Sequence, residues 1–468
     1  MALAQRWPRL QNGRNTFMKT FPITDFGAIP DGATINTHAI QAAAIACREA
    51  GGGVVLVPPG TFVTGTFELF SDTTLQVEAG ARLLASADLK DHLVGEFSVG
   101  LLYAQDAEGI TLTGEGILDG NGALHFHEGE LHGGNDDHSA YDTWQRRNDF
   151  PHGSKDAIHG PFRPKTRPGN MIVLARCRDV RMENLTITGA SYWTIHCSDS
   201  EHLVFEGLNI ASDLRHPSSD GIHLSTCCHA AIRRCRIVSG DDCVAITGFR
   251  NHGGEREIAF GLSGIEGVGE DIEISDCTFT SRSSAVRIGY GENPVRNIRL
   301  KRLDIRESNR GIGIYARQAD VEDVTVEDCT IQTRLFHGNW WGRGEPIHVS
   351  AVRFGRDLPL FRIRNLTFRD IRAEGENGML FFAEEPGAIE HVRLVRVSNT
   401  LHRGSLFEQW GGNVELRPVA NHDWSIMAGG NAPLWAVGVR DLHCEDCTWQ
   451  ADDDAVLSAE PFHAERVG

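Results

Sequence analysis

The sequence lacks any run of about 18 apolar residues, the length a helix needs to cross a bilayer, so no transmembrane helix is expected. Its opening, MALAQRWPRLQNGRNTFMKTF, carries charges but no continuous apolar stretch, and no secretory signal is read there. Positive charge is scarce: 45 Lys and Arg stand against 63 Asp and Glu, a net charge of -18. That balance argues against nucleic acid or an anionic membrane as the main partner. Cysteine is not paired off either. There are 11, an odd number, mostly at strand-like positions rather than the turn-rich spacings of a disulfide framework. Cys444 and Cys447 form a lone CxxC within a strand pattern, and no zinc or redox site is read from it. Reduced packing thiols in a cytoplasmic protein are the expectation.

What is present is repetition. Residues 1–19 read as a loose leader. Asn36-Thr37 then offers a helix N-cap, Ile40, Ala43, Ala44 and Cys47 make one apolar stripe, and Gly51-Gly52-Gly53 stops the helix. Strands follow at Val54–Val57, Phe67–Leu69 and Leu75–Val77. From there one eight-residue phrase recurs, alternating apolar and polar residues around two turn-like positions. It stands as VRMENLTI at Val180, LVFEGLNI at Leu203, IEISDCTF at Ile272, IRLKRLDI at Ile298 and VTVEDCTI at Val324. Starts lie 23 to 27 residues apart where no loop intervenes, a period that signals a β-solenoid. The sixth position holds Leu185, Leu208, Cys235, Cys277, Leu303, Cys329 and Cys447, an inward column. Residues 20–468 are read as one domain, with long loops at about 120–167, 249–269 and 335–345.

The stretch SSDGIHLSTCCHAAIRRCRIVSGDDCVAIT, from Ser218, carries the chemistry. Asp220 and Asp242 each precede an alternating run and are 22 residues apart, close to one turn of such a coil. Stacking at one strand spacing, about 4.8 Å, gathers Asp220, Asp241 and Asp242 at one edge. With apolar neighbours inward, one outward column reads His196, His223, Ala245, Arg287, Gly313 and His348. Three residues upstream run Trp193, Asp220, Asp242, Ser284, Arg310 and Glu345. Two residues downstream run Ser198, Ser225, Thr247, Gly289, Tyr315 and Ser350. Candidate substrate contacts on this wall are Trp193, His223, Arg287, Arg310, Tyr315 and Glu345. Trp340, on a turn beside them, is a candidate for stacking on a sugar face. The scattered histidines of the 120–167 loop, among them His125, His127, His132, His138, His152 and His159, have no fixed ligand spacing, and no metal site or cofactor is read. Glycoside hydrolysis needs one carboxyl to protonate the leaving oxygen and a carboxylate to act on water or carbon, and three clustered acids meet that need without metal. Crowded like charges raise at least one pKa and so supply the proton donor.

The segments ITDFGAIPDGATINTHAIQAA, VLVPPGTF, SSDG, SGDDCVAI and RGIGI resemble glycoside hydrolase family 28, the polygalacturonase family, over roughly residues 20 to 350. The resemblance implies an all-β, single-stranded right-handed parallel β-helix behind the N-terminal capping helix. It implies an inverting hydrolysis in which Asp241 is the general acid and Asp220 and Asp242 activate water. The family's Gly-His-Gly falls at Ser283-Ser284-Ala285, and its Arg-x-Lys, which grips the galacturonate carboxylate, at Gly313-Ile314-Tyr315. Both departures point to a divergent member with an altered substrate, with Arg287 or Arg310 standing in for the missing cations. The expected partner is a carbohydrate; no oligomeric state is read. Two other readings stay open. One is a β-helix lyase, with calcium on the three aspartates, or a glycosyl or fructosyl transferase, using the same cleft. The other is a non-catalytic carbohydrate-binding β-helix.

Overall fold

The apolar stripe of the N-terminal segment does become a helix, Thr37–Glu49, which buries Ile40, Ala43, Ala44 and Cys47 against Phe21, Ile23, Val55 and Phe67 at one end of the core. Each fully buried Ile, Val or Phe side chain among these contributes about 1.5–3 kcal/mol. Asn36 opens the helix without capping it. Its Oδ1 accepts the Ile29 N–H at 2.6 Å and its Nδ2 donates to the Thr34 carbonyl at 2.7 Å, so it pins the preceding loop instead. Gly52 ends the helix at a φ of +107°, where a Cβ would stand 2.7 Å from the Asp72 carbonyl oxygen.

Behind the helix the chain, here a computed structural model, winds as a right-handed parallel β-helix. It describes residues 18–95, 97–131, 160–250, 263–336, 340–355, 357–406, 414–416, 426–427, 431–452, 455 and 462–464. The leader up to residue 17 and most of the 120–167 and 249–269 loops, with His132, His138, His152 and His159, lie outside the described residues, as do 337–339. Each coil repeats the same inward residues. Ile272, Ile298, Val324, Leu366, Val392 and Leu442 stack in register, and a continuous apolar core runs along the axis. The cysteines of the sixth column, Cys235, Cys277 and Cys329, are buried in it as free thiols, whereas Cys447 is half-buried.

The fifth residue of the phrase turns the corner between two faces. Asn184, Gly207, Arg234, Asp276, Arg302, Asp328, Asp370 and Arg396 all take left-handed φ values between +51° and +64°. Asn, Asp and Gly tolerate that region, but arginine does so only with support. The support is lateral: Arg302 binds Asp276 of the previous coil through two bonds of 2.5 and 2.6 Å, and Arg396 binds Asp370 at 2.6 and 2.8 Å.

The face that matters for function is a 12-stranded parallel sheet. Its central strands are Ile195–Ser198, Ile222–Ser225, Val244–Gly248, Ser284–Gly291, Arg310–Ala316 and Glu345–Ala351. Their register pairs His196 with His223, His223 with Ala245, Ala245 with Arg287, Arg287 with Gly313 and Gly313 with His348.

Candidate active site

The acids sit where the chain enters two adjacent strands, and the local sequence explains how they come so close. The backbone after Asp220 runs against the next coil: a Cβ at Gly221 would lie 2.5 Å from the Cys243 carbonyl oxygen, and one at Gly240 would lie 2.1 Å from the His216 carbonyl oxygen. Only glycine permits both approaches. Ser219 ties them together, donating to the His216 carbonyl at 2.8 Å and accepting the Gly240 N–H at 3.0 Å. The Asp241 carbonyl is then fixed by two serine hydroxyls, Ser239 and Ser281, each at 2.6 Å. Across coils, Thr194 N–H donates to the Asp220 carbonyl at 2.8 Å and Gly221 N–H to that of Asp242 at 2.9 Å, so the acids and Trp193 form one stack.

The three carboxyls differ in company. Asp242 is buried and saturated: its Oδ1 accepts Ser283 Oγ at 2.8 Å and Ser284 N–H at 2.9 Å, and its Oδ2 accepts Arg287 Nε. Asp220 is equally buried. Its Oδ2 lies 3.0 Å from His223 Nδ1 and 3.8 Å from an Arg287 Nη. Asp241 is only half-buried, and its Oδ1 accepts its own neighbour's N–H, that of Asp242, at 2.9 Å. Burial, then the charge of Asp242, pushes the Asp241 carboxyl up to about 7, although Arg287 works the other way. Burial and the charges of Asp241 and Asp242 likewise push Asp220 well above the usual carboxylate range. Protons therefore belong to the cluster rather than to one residue. Burial opposes the charge of Arg287, but Asp242 and Asp220 outweigh it and hold the guanidinium protonated.

Around the acids, the Trp193 indole stacks on His223 at 3.8 Å, and both stay in the wall. The remaining candidates lie deeper than an outward column implies. Glu345, Arg310, His348 and Tyr315 form a closed unit: Arg310 reaches Glu345 at 3.0 Å, His348 lies 3.2 Å from it, and Tyr315 meets the His348 ring edge-on at 5.3 Å. Arg310, Tyr315, Glu345 and His223 are at most 1% exposed, and Trp340 only 2%. These five offer almost no surface in this structure, Asp220 and Asp242 being buried to the same degree, and Trp340 is not an exposed platform. Alternation gives the direction of a side chain but not what lies over it; here long residues of one coil cover their neighbours, as the Tyr315 hydroxyl covers Gly313. Arg310 is spent on Glu345 and Arg287 on Asp242. Of the wall residues, Trp193 and Arg287 keep partial exposure beside the acids.

What the sequence reading missed is Ser281 and the donor role of Ser283 and Ser284. Ser-Arg-Ser-Ser at 281–284, one coil after SGDD, supplies three donors to the Asp241-Asp242 turn, and polar residues recurring one coil from an acid pair were the available signal. Of the loop histidines, His125 is buried with Nδ1 at 3.3 Å from the Thr166 carbonyl, and His127 lies beside Glu130. No group of three potential metal ligands occurs among the described residues. The base of that insertion is tied to the site edge: Arg167 donates to the carbonyls of Ser191, at 2.7 Å, and Pro217, at 3.1 Å.

Fold and acid cluster together define a β-helical glycoside hydrolase. The chain belongs to glycosyl hydrolases family 28, whose sequence model matches residues 47–333. It is 28% identical over 378 residues to a probable polygalacturonase of Vitis vinifera, covering 75% of this chain and 68% of that protein. It is 26% identical over 352 residues to an exopolygalacturonase of Zea mays, covering 66% and 76%. Two solved structures share the fold. The family 28 exopolygalacturonase of Yersinia enterocolitica has a TM-score of 0.56 at 17% identity, over 93% of this chain and 78% of that one. The polygalacturonase of Erwinia carotovora has a TM-score of 0.55 at 14% identity, over 96% and 98%.

Proposed function

We propose that this chain hydrolyses a glycosidic bond in an oligosaccharide by an inverting, metal-independent carboxylate mechanism. The observation that carries it is the contrast between neighbours. Asp241 is the partly exposed member of the cluster, its carboxyl pushed up to about 7 by burial and by Asp242, whereas Asp242 beside it is held by two hydroxyl or amide donors and a guanidinium. Asp241 gives its proton to the leaving glycosidic oxygen. The Asp220-Asp242 pair orients water and takes its proton as the oxygen bonds to the anomeric carbon. Asp242 spends its oxygens on Ser283, Ser284 and Arg287, contacts that a calcium ion would have to displace, and this favours the metal-free reading over a calcium lyase.

The substrate is polygalacturonase-like but altered. Its relatives are polygalacturonases by name, while Ser284 and Gly313-Ile314-Tyr315 stand where the family carries histidine and two cations. Trp193 walls the sugar site. The eleven cysteines are free thiols, which fits a cytoplasmic enzyme. The test is a panel of uronic and neutral oligosaccharides, digested by wild type and Asp241→Asn with EDTA present. Sugar release by wild type alone supports the reading. Activity abolished by EDTA, an unsaturated product, or an unaffected Asn variant overturns it.

A further inference from the structure

Arg287 occupies a position that a substrate anchor would not choose. It points from the outward column toward the acids, reaching back over Ala245, the small residue between it and His223, to Asp242 one coil away and Asp220 two coils away. Its side chain is 15% exposed, and its Nε is engaged by Asp242. The Tyr290 ring lies 5.0 Å from its guanidinium carbon, and Arg317 approaches the same ring at 5.3 Å. Among the described residues, the titratable and charged groups facing it are therefore Asp242, Asp220 and Tyr290, with Asp241 beside the pair, His223 behind Asp220 and Arg317 beyond Tyr290. A uronate carboxylate at this guanidinium would have to compete with two carboxylates already in place.

We propose that Arg287 is a positioning residue that acts on the acid cluster and not on the sugar, locking Asp242 in one orientation and partly neutralising Asp220. The inference rests on the hydrolytic reading of the three aspartates. Asp242, held from three sides, cannot rotate to take the proton that Asp241 must deliver, so the two adjacent acids keep separate duties. Without the guanidinium, three carboxyls would share protons freely and the water-activating pair would be protonated over more of the pH range.

The test compares wild type, Arg287→Gln and Arg287→Lys on one uronic and one neutral oligosaccharide drawn from the cleaved members of the panel, as kcat and KM across pH. For Arg287→Gln, kcat falls at least about tenfold and KM stays within about twofold on both substrates. The acid limb of kcat/KM moves up by about one pH unit, since removing a neighbouring cation raises carboxyl pKa values by one unit or more. Arg287→Lys restores the limb in part because it keeps a charge beside Asp242. A KM raised about tenfold for the uronic substrate alone, with the acid limb in place, makes Arg287 a substrate anchor and overturns the proposal. If Arg287→Gln does not fold, Arg287→Lys carries the same comparison through its kcat, KM and limb. Equal hydrolysis by wild type and Asp241→Asn would instead sink the hydrolytic reading itself.

Discussion

Replacing Asp241 by asparagine separates the demands of chemistry from those of folding. The Asn side chain keeps the shape and still accepts the Asp242 N–H at Oδ1, so the turn survives. What disappears is the charge. The carboxyl is pushed up to about 7 from an ordinary 3.8, first by burial and then by Asp242. Between those two values the native protein binds a proton that the unfolded chain has released, so raising the pH through this window destabilises the fold. The cost is absent below about pH 4, grows through the window and is complete above about pH 7. The full shift corresponds to a few kcal/mol; allowing for Asp241 being partly exposed and for the protons being shared, about 1–3 kcal/mol is expected. With an unfolding entropy near 2.1 cal/mol/K per residue over 468 residues, that is about 1–3 °C in Tm. Asp241→Asn should therefore melt higher than wild type at pH 8 and at the same temperature at pH 4, while hydrolysis drops by about 10²–10⁴. Paired thermal melts at the two pH values decide it. A variant no more stable than wild type at pH 8 would refute the claim that burial and Asp242 load this carboxyl.

Other consequences follow from the remaining polar contacts. Glu345→Gln leaves Arg310 buried without its anion, at a cost of about 3–5 kcal/mol; denaturant melts should show the loss while activity per folded molecule stays near wild type. A sugar-contacting Glu345 would instead raise KM. Trp193→Ala removes the ring stacked on His223 and should raise KM by about three- to tenfold, read from initial rates on the cleaved oligosaccharide. Gly221→Ala forces a Cβ to within 2.5 Å of the Cys243 carbonyl, and its soluble yield should fall sharply while a control such as Gly355→Ala, whose Cβ would meet only Leu358 at an ordinary 3.5 Å, expresses normally.

The register of the wall was legible because two periods constrain it together. Alternation assigns a face to every second residue, and the coil length assigns its neighbour, so the stacking of Trp193, Asp220 and Asp242 follows from the sequence alone. The inward column, with Cys235, Cys277 and Cys329, was legible for the same reason. Depth was not. Whether an outward residue meets water depends on which long side chains of adjacent coils fold over it, and Arg310, Tyr315 and Glu345 proved to be buried partners of one another. Nor was the aim of Arg287: a guanidinium on a flexible stem reaches across two coils, and its target follows from charge and from the space above Ala245 rather than from spacing. Asn36 misled in a similar way, because a cap-like residue beside a loop found better partners in that loop.

The central claim is that Asp241 protonates the leaving oxygen while water enters from the side of Asp220 and Asp242. The most direct test is proton NMR of the first sugar released by wild type from a cleaved oligosaccharide of known anomeric configuration, recorded before mutarotation. The first-formed sugar is expected to have the opposite configuration to the bond cleaved. Retention of configuration would contradict it, since that outcome requires one of these carboxylates to attack carbon.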